Sequence, residues 1–339
     1  MYLGAPGLAC PIGLGAAAAC AALRAGVVGF EELPFHGASR RPIVAARVPG
    51  LDLRRPRDGR LVDLLALALA DLLAGTTELR TADVPLLVGL AEPRRPGGAD
   101  RLAPRVIADV QAKLGVAFHP ELSRAIPEGH TAAFAALRLA RELMQSQDVP
   151  VCLVCGVDSF VNPVSLNWLD DTWRLKREGH SNGVIPGEAA AAILVTRDPP
   201  ANGPAVRVAG LGFGREEAHV LSDRPLLGAG LTQAVQAALA EANVRMRDIH
   251  LRLSDVTGEA YGFKELTLAL SRTMREGPSD LPVWHCADAI GDCGAAAGVC
   301  MLTVARHAFI GGYAPGPRAM CYTSAVPGDR AVAVLERQP

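Results

Sequence analysis

Cys152 and Cys155 stand in a C-x-x-C spacing, and the chain carries eight cysteines in all. Such a set can signal a disulfide framework or a zinc site. The surroundings argue against both. VPVCLVCGVDSF reads as a buried strand, and a separation of three on a strand sends Cys152 and Cys155 to opposite faces. Cys10, Cys20, Cys286, Cys293, Cys300 and Cys321 lie mostly in apolar or Ala-rich runs, where a free thiol behaves as a small hydrophobe. The reading is reduced thiols in a reducing cytoplasm, with no metal and no cofactor. GLGFG at 210–214 follows a strand, as a phosphate-cradling loop does, but it lacks the G-x-G-x-x-G spacing and a helix opening from it. His180 and His285 read as ordinary polar or core histidines.

These residues need elements to hold them. Strand-like runs fall at residues 2–9, Val84–Leu90, Val149–Gly156, Ala189–Thr196, Val206–Leu211, His250–Ser254, Val283–Ala287 and Arg330–Glu336. Helical patterns lie at Leu61–Leu73, Arg105–Leu114, Thr131–Gln145, Leu231–Ala242, Phe263–Met274 and Ala295–His307, with a small-residue helix ending near Arg24. Their alternation predicts α/β layers. The Pro-rich break RDPPANGP at 197–204 divides the chain into halves at 1–200 and 204–339. EPRRPGG at 92–98 reads as an exposed loop.

Of the 339 residues, 50% are hydrophobic, which excludes a mostly disordered chain. A net charge of -1 and a pI near 6.7 give no footprint for nucleic acid or an anionic membrane. Residues 1–23 carry no charge, but no Lys or Arg precedes them and Pro6 and Pro11 break the run. Neither an export signal nor a membrane span is expected there.

Five stretches in order resemble the β-ketoacyl synthases of the thiolase-like condensing enzymes. GLACPIGLGAAAACAALRAGVVGFEELPF resembles the family's first strand, turn and helix. GHTAAFAALRLARELM is similar to the helix that starts at the nucleophile. VCLVCGVDSF with RLKREGHSNGVIPGEAAAAILV resembles a strand and the R-x-K…GE segment, and IGDCGAAAG is similar to IGHLEAAAG. The tail MCYTSAVPGDRAVAVLE resembles the last loop and closing strand. The resemblance implies a thiolase-like fold, two related α/β halves layered α/β/α/β/α. It also implies a homodimer, or a heterodimer with a ketosynthase-like relative, formed through the strand at Val149–Gly156.

The departures bear on function. The resemblance puts His130 at the nucleophilic cysteine, Asp255 and Asp292 at the two catalytic histidines, and Ala287 at the motif's lysine. SAVPGD replaces a phenylalanine-rich gating loop. Condensation needs a thiolate at a helix N-terminus and two imidazole N–H donors for the developing enolate. An ionised Asp only accepts, so two carboxylates there would repel that charge. No catalytic residue is therefore expected. The expected pocket comprises Gly129, His130, Thr131, Asp255, Thr257, Asp292 and Cys293. Cys293 is weighed as a substitute nucleophile and set aside because of the adjacent carboxylate. Glu188 is read as a fold-supporting glutamate.

The resulting expectation is an accessory protein. It would resemble either a chain length factor working with a ketosynthase and an acyl carrier protein, or a thiolase-like helper of a secreted type VI secretion effector. The alternative is an acyltransferase or thioester hydrolase using His130 with Asp255 and Asp292.

Overall fold

A computed structural model describes residues 1–36, 41–76, 79–274 and 281–339. The first half runs β1 (Tyr2–Cys10), β2 (Gly13–Leu14), α1 (Ala16–Arg24), β3 (Phe30–His36), β4 (Pro42–Ala46) and α2 (Arg57–Ala74). It continues through β5 (Leu86–Gly89), α3 (Val106–Leu114), β6 (Arg124–Ile126), α4 (Ala132–Ser146), β7 (Val151–Ser159), α5 (Pro163–Asp171) and β8 (Glu188–Thr196). The second half runs β9 (Ala205–Arg215), α6 (Ala229–Ala242), β10 (Leu251–Ser254), α7 (Ala260–Thr273), β11 (Val283–His285), α8 (Ala287–Ile290), α9 (Ala297–Ile310), β12 (Arg318–Ser324) and β13 (Asp329–Gln338).

The main sheet has the strand order β11-β10-β12-β13-β9-β1-β8-β7-β5-β6, with β2 beside β1. Read outward from the centre, β1-β8-β7-β5-β6 and β9-β13-β12-β10-β11 follow the same chain-order pattern. Among the described residues the two sets meet where Tyr2 of β1 pairs with Arg207 of β9 and the Val208 N–H donates to the Met1 carbonyl at 3.0 Å. Helices α2 and α3 cover the first set, and α6 with α7 covers the second. Helices α4 and α9 touch strands of both sets and form the middle layer. Three apolar cores separate these layers. The fold is the mixed α/β, thiolase-like one that the alternating strands and helices and the five stretches imply.

Composition explains how the layers fit. Helix α9, AGVCMLTVARHAFI, is buried on almost every side, as a helix between two sheets must be. Strand β8 alternates Ala189, Ala191 and Ile193 toward the middle core with Ala190 and Ala192 toward the α2 core. Cys152 and Cys155 on β7 divide between the same two cores, so the C-x-x-C pair never converges. In GLGFG, an added Cβ at Gly210, Gly212 or Gly214 would overlap the Ala238, Ala234 or Gly230 carbonyl oxygen of α6. The glycines are a packing device that lets α6 lie against β9. Gly7 on β1 plays the same part beneath α2 at Ala68.

Several sequence expectations need correction. The strand at Val283–Ala287 ends at His285, and Ala287 opens α8. Strands β3, β4, β6 and β12 and helix α5 escaped the periodicity, most being short or set in Pro- and Gly-containing runs. The 92–98 loop is not wholly exposed: Glu92 and Arg95 are buried, and Arg95 donates to both oxygens of Asp158 on β7. Strand β7 cannot mediate a dimer by strand pairing, because β5 and β8 occupy both its edges. The free edge of that half belongs to β6, whose described pairing is with β5 alone.

Replacing Gly212 by Ala should force α6 off β9 and cost about 3 kcal/mol, the upper range for overpacking a tight core. Urea unfolding measures it, and an unchanged midpoint would show that the close approach is not required.

Candidate functional site

The two middle-layer helices begin in the same way. A 3-10 turn, Gly129–Thr131, leads into α4, and a second, Gly294–Ala296, leads into α9. Gly129 and Gly294 both have positive φ, at 57° and 51°. A Cβ on Gly129 would strike the Glu92 carboxylate, and one on Gly294 the Asp158 carboxylate, so both turns need glycine twice over.

The first turn aims His130 at Asp292, which lies just before the second turn. Nε2 of His130 sits 2.8 Å from Oδ1 of Asp292, and the same oxygen accepts the Gly294 backbone N–H at 3.0 Å. Both side chains are buried. Asp255 follows β10, and its Oδ2 accepts the Ser324 N–H at 2.8 Å. His130, Asp255, Thr257 and Asp292 line one cleft of about 50 Å³.

Three expected pocket residues lie elsewhere. Cys293 is 2% exposed and packs in the middle core with Cys10, Cys286 and Cys300. Thr131 turns back to donate its hydroxyl to the Glu128 carbonyl at 2.9 Å, and Gly129 sits under Glu92. The cleft instead gains Arg174, Glu259, Tyr261, Ser324 and Arg330. Arg174 opens the RLKREGHSNG stretch and Ser324 opens SAVPGD, so both carried a signal. Arg330 lies in the quoted tail but was not singled out, and Glu259 and Tyr261 were not either, since only folding brings α7 and β13 together there.

The walls are neutralised in pairs. Arg174 donates to both carboxylate oxygens of Glu259, at 2.8 and 2.7 Å. Arg330 donates to Glu265 at 2.7 Å and to the Tyr261 hydroxyl at 2.8 Å. Asp255 has no ion-pair partner among the described residues, and burial pushes its carboxyl up to about 6 against the pull of His130 and Ser324. Burial alone would lower the His130 imidazolium, but the Asp292 charge and hydrogen bond override it and hold the proton far above the usual imidazole range. Burial would raise Asp292; the His130 charge and hydrogen bond hold it below the usual carboxylate range.

Nε2 of His130 is engaged by Asp292, and Nδ1 is buried without a hydrogen-bond partner among the described residues. No thiol lines the cleft. All eight cysteines are free and buried, and burial pushes Cys20 up to about 11 and Cys10 to about 12. At those values Cys10 and Cys20 stay as thiols at neutral pH. No cluster of three or more His, Cys, Asp or Glu among the described residues is placed to hold a metal ion.

Glu188 sits apart from the cleft. It accepts from Arg60 at 2.6 Å, the Ser159 hydroxyl at 2.8 Å and the Val48 N–H at 3.0 Å, tying the start of β8 to α2 and β7.

The His130–Asp292 pair makes stability depend on pH. His130 holds its proton more tightly in the folded chain than at its ordinary 6.5, and Asp292 holds its proton less tightly than at 3.8. The pair's contribution is therefore complete between those two values. It is lost as pH rises through the raised imidazole range, and lost again as pH falls through the lowered carboxyl range. Asp255 acts in the opposite sense, costing stability as pH rises from 3.8 to about 6. Urea unfolding should show stability falling between about pH 7 and about pH 9, with the fall flattened in His130→Gln. An identical slope in the variant would place the titration elsewhere.

No helix among the described residues is long and apolar enough to cross a membrane. The sequence matches no protein-family model and no curated protein. Solved structures do match. The ishigamide ketosynthase/chain length factor is 16% identical, with a TM-score of 0.80 over 99% of this chain and 98% of that one. A ketosynthase in complex with its chain length factor from Xenorhabdus doucetiae is 16% identical, with a TM-score of 0.74 over 99% and 97%. A type II PKS acyl-carrier protein in complex with its ketosynthase bound to the hexaketide gives 15%, 0.76, and 99% and 98%. The chain therefore has the thiolase-like fold that the ketosynthases and chain length factors share.

Proposed function

We propose that this chain is a non-condensing, ketosynthase-like accessory protein that pairs with a ketosynthase, as a chain length factor does. The observation that carries the reading is the His130–Asp292 pair, buried at the start of α4 beside a cleft of about 50 Å³. Pockets that enclose a small organic ligand usually measure about 300–1,000 Å³. A cleft of this size has room for a few waters, not an acyl chain. Both ring nitrogens are occupied or buried, which removes the basis for the acyltransferase or hydrolase alternative. A role beside a type VI secretion effector finds no support in the structures compared. Similar structures with a chain length factor or an acyl-carrier protein favour a ketosynthase or a carrier as partner. Eight free buried thiols suit a reducing cytoplasm.

The pairing edge we assign is β6, in place of β7. Ile126 turns its carbonyl toward Leu90, so by strand alternation Ala125 directs its N–H and carbonyl to the open side. Proline tolerates such an edge position within the chain yet removes the outward donor. Ala125→Pro should leave the monomer folded and abolish a complex with a partner ketosynthase, as read by size-exclusion chromatography with light scattering. A surviving complex would remove β6 as the interface.

Incubation with acyl- and malonyl-thioesters should give no covalent acylation, decarboxylation or thioester loss by mass spectrometry. Turnover that His130→Ala abolishes would overturn the accessory reading.

A further inference from the structure

A second cavity shares no lining residue with the His130 cleft. It opens between the end of α1, the β11–α8 corner and α9, and measures about 640 Å³. That volume falls within the range of small-molecule sites. Leu23, Val27, Val28 and Val304 form aliphatic walls. Val27 and Val28 are 47% and 57% exposed, an adjacent apolar pair left in water.

One wall is a fixed stack. Trp284 lies against Tyr313 with ring centroids 6.2 Å apart and planes 22° from parallel. The Tyr313 hydroxyl is bonded to Nδ1 of His307 at 2.8 Å, which holds the ring in place. The Arg24 guanidinium rests 4.4 Å from the centroid of the Tyr313 ring, and no described carboxylate pairs with it. Its N–H donors remain free for an anion at the mouth of an apolar cavity. Asp288 also lies on the lining and brings the formal charge there to zero, which disfavours a multiply charged anion.

We propose that this cavity binds a small apolar molecule bearing one carboxylate, with the carboxylate at Arg24 and the apolar body against Val27, Val28 and the Trp284–Tyr313 stack. The proposal is independent of any pairing with a ketosynthase, because its test uses this chain alone.

Isothermal titration calorimetry with decanoate and 2-naphthoate distinguishes an aliphatic from an aromatic body, and 1-decanol and 2-naphthylmethanol serve as uncharged counterparts. At least one carboxylate should bind with Kd below about 1 mM. Arg24→Gln should weaken that carboxylate about tenfold and leave the matching alcohol unchanged, as loss of a charge-assisted bond requires. Asp288→Asn should tighten carboxylate binding, and Val28→Asp should weaken acid and alcohol alike. Arg24, Asp288 and Val28 are exposed, so these variants should fold. Absence of binding by both acids, or equal effects of Arg24→Gln on acid and alcohol, would overturn the proposal. So would self-association that Val28→Asp abolishes with no ligand binding, which would make the cavity a contact between copies.

Discussion

The buried pair between His130 and Asp292 is the constraint around which the centre of this molecule is arranged. It joins the turn that leads into α4 to the residue two before the turn that leads into α9, the two helices of the middle layer. Two buried charges persist only when each has a partner, and removing one typically costs about 3–5 kcal/mol. Asp158 reinforces the same junction from the other side, accepting from Arg95 and from the Ala295 N–H at 3.0 Å. The α4 and α9 starts are thus tied by fixed polar contacts.

Around that centre the chain is built for close approach. Two strand sets of like order face three helix layers, and contact between layers is made through Gly and Ala more than through large rings. Gly210, Gly212 and Gly214 under α6 and the alanines of β8 show how. The 4% aromatic content follows from this geometry: large rings would force the layers apart. Buried cysteines fit the same rule, serving as small apolar residues of the middle core.

Much of the fold was legible because its signals are periodic. Long amphipathic runs such as α2 and α6, and apolar strands such as β7 and β8, follow from spacing alone. The opposite faces of Cys152 and Cys155 followed from strand geometry. Short elements such as β6 did not, since three residues carry no period. The edge role of β6 and the interior position of β7 depend on strand order, which spacing along the chain does not encode. At the site, His130, Asp255 and Asp292 were legible through motif resemblance. The direction of Cys293 away from the cleft was not, because it depends on the turn between Gly291 and Gly294. Glu92 and Arg95 were misread as exposed, because a Pro- and Arg-rich loop looks solvated until its partner Asp158 is placed.

The central claim is that His130 serves as a locked cation rather than a base. A nitrogen-15 NMR titration of the imidazole tests this most directly. The account predicts that both ring nitrogens stay protonated through neutral pH, with release only near pH 10. An imidazole that titrates near 6.5, as in water, would contradict it and return His130 to the list of available bases.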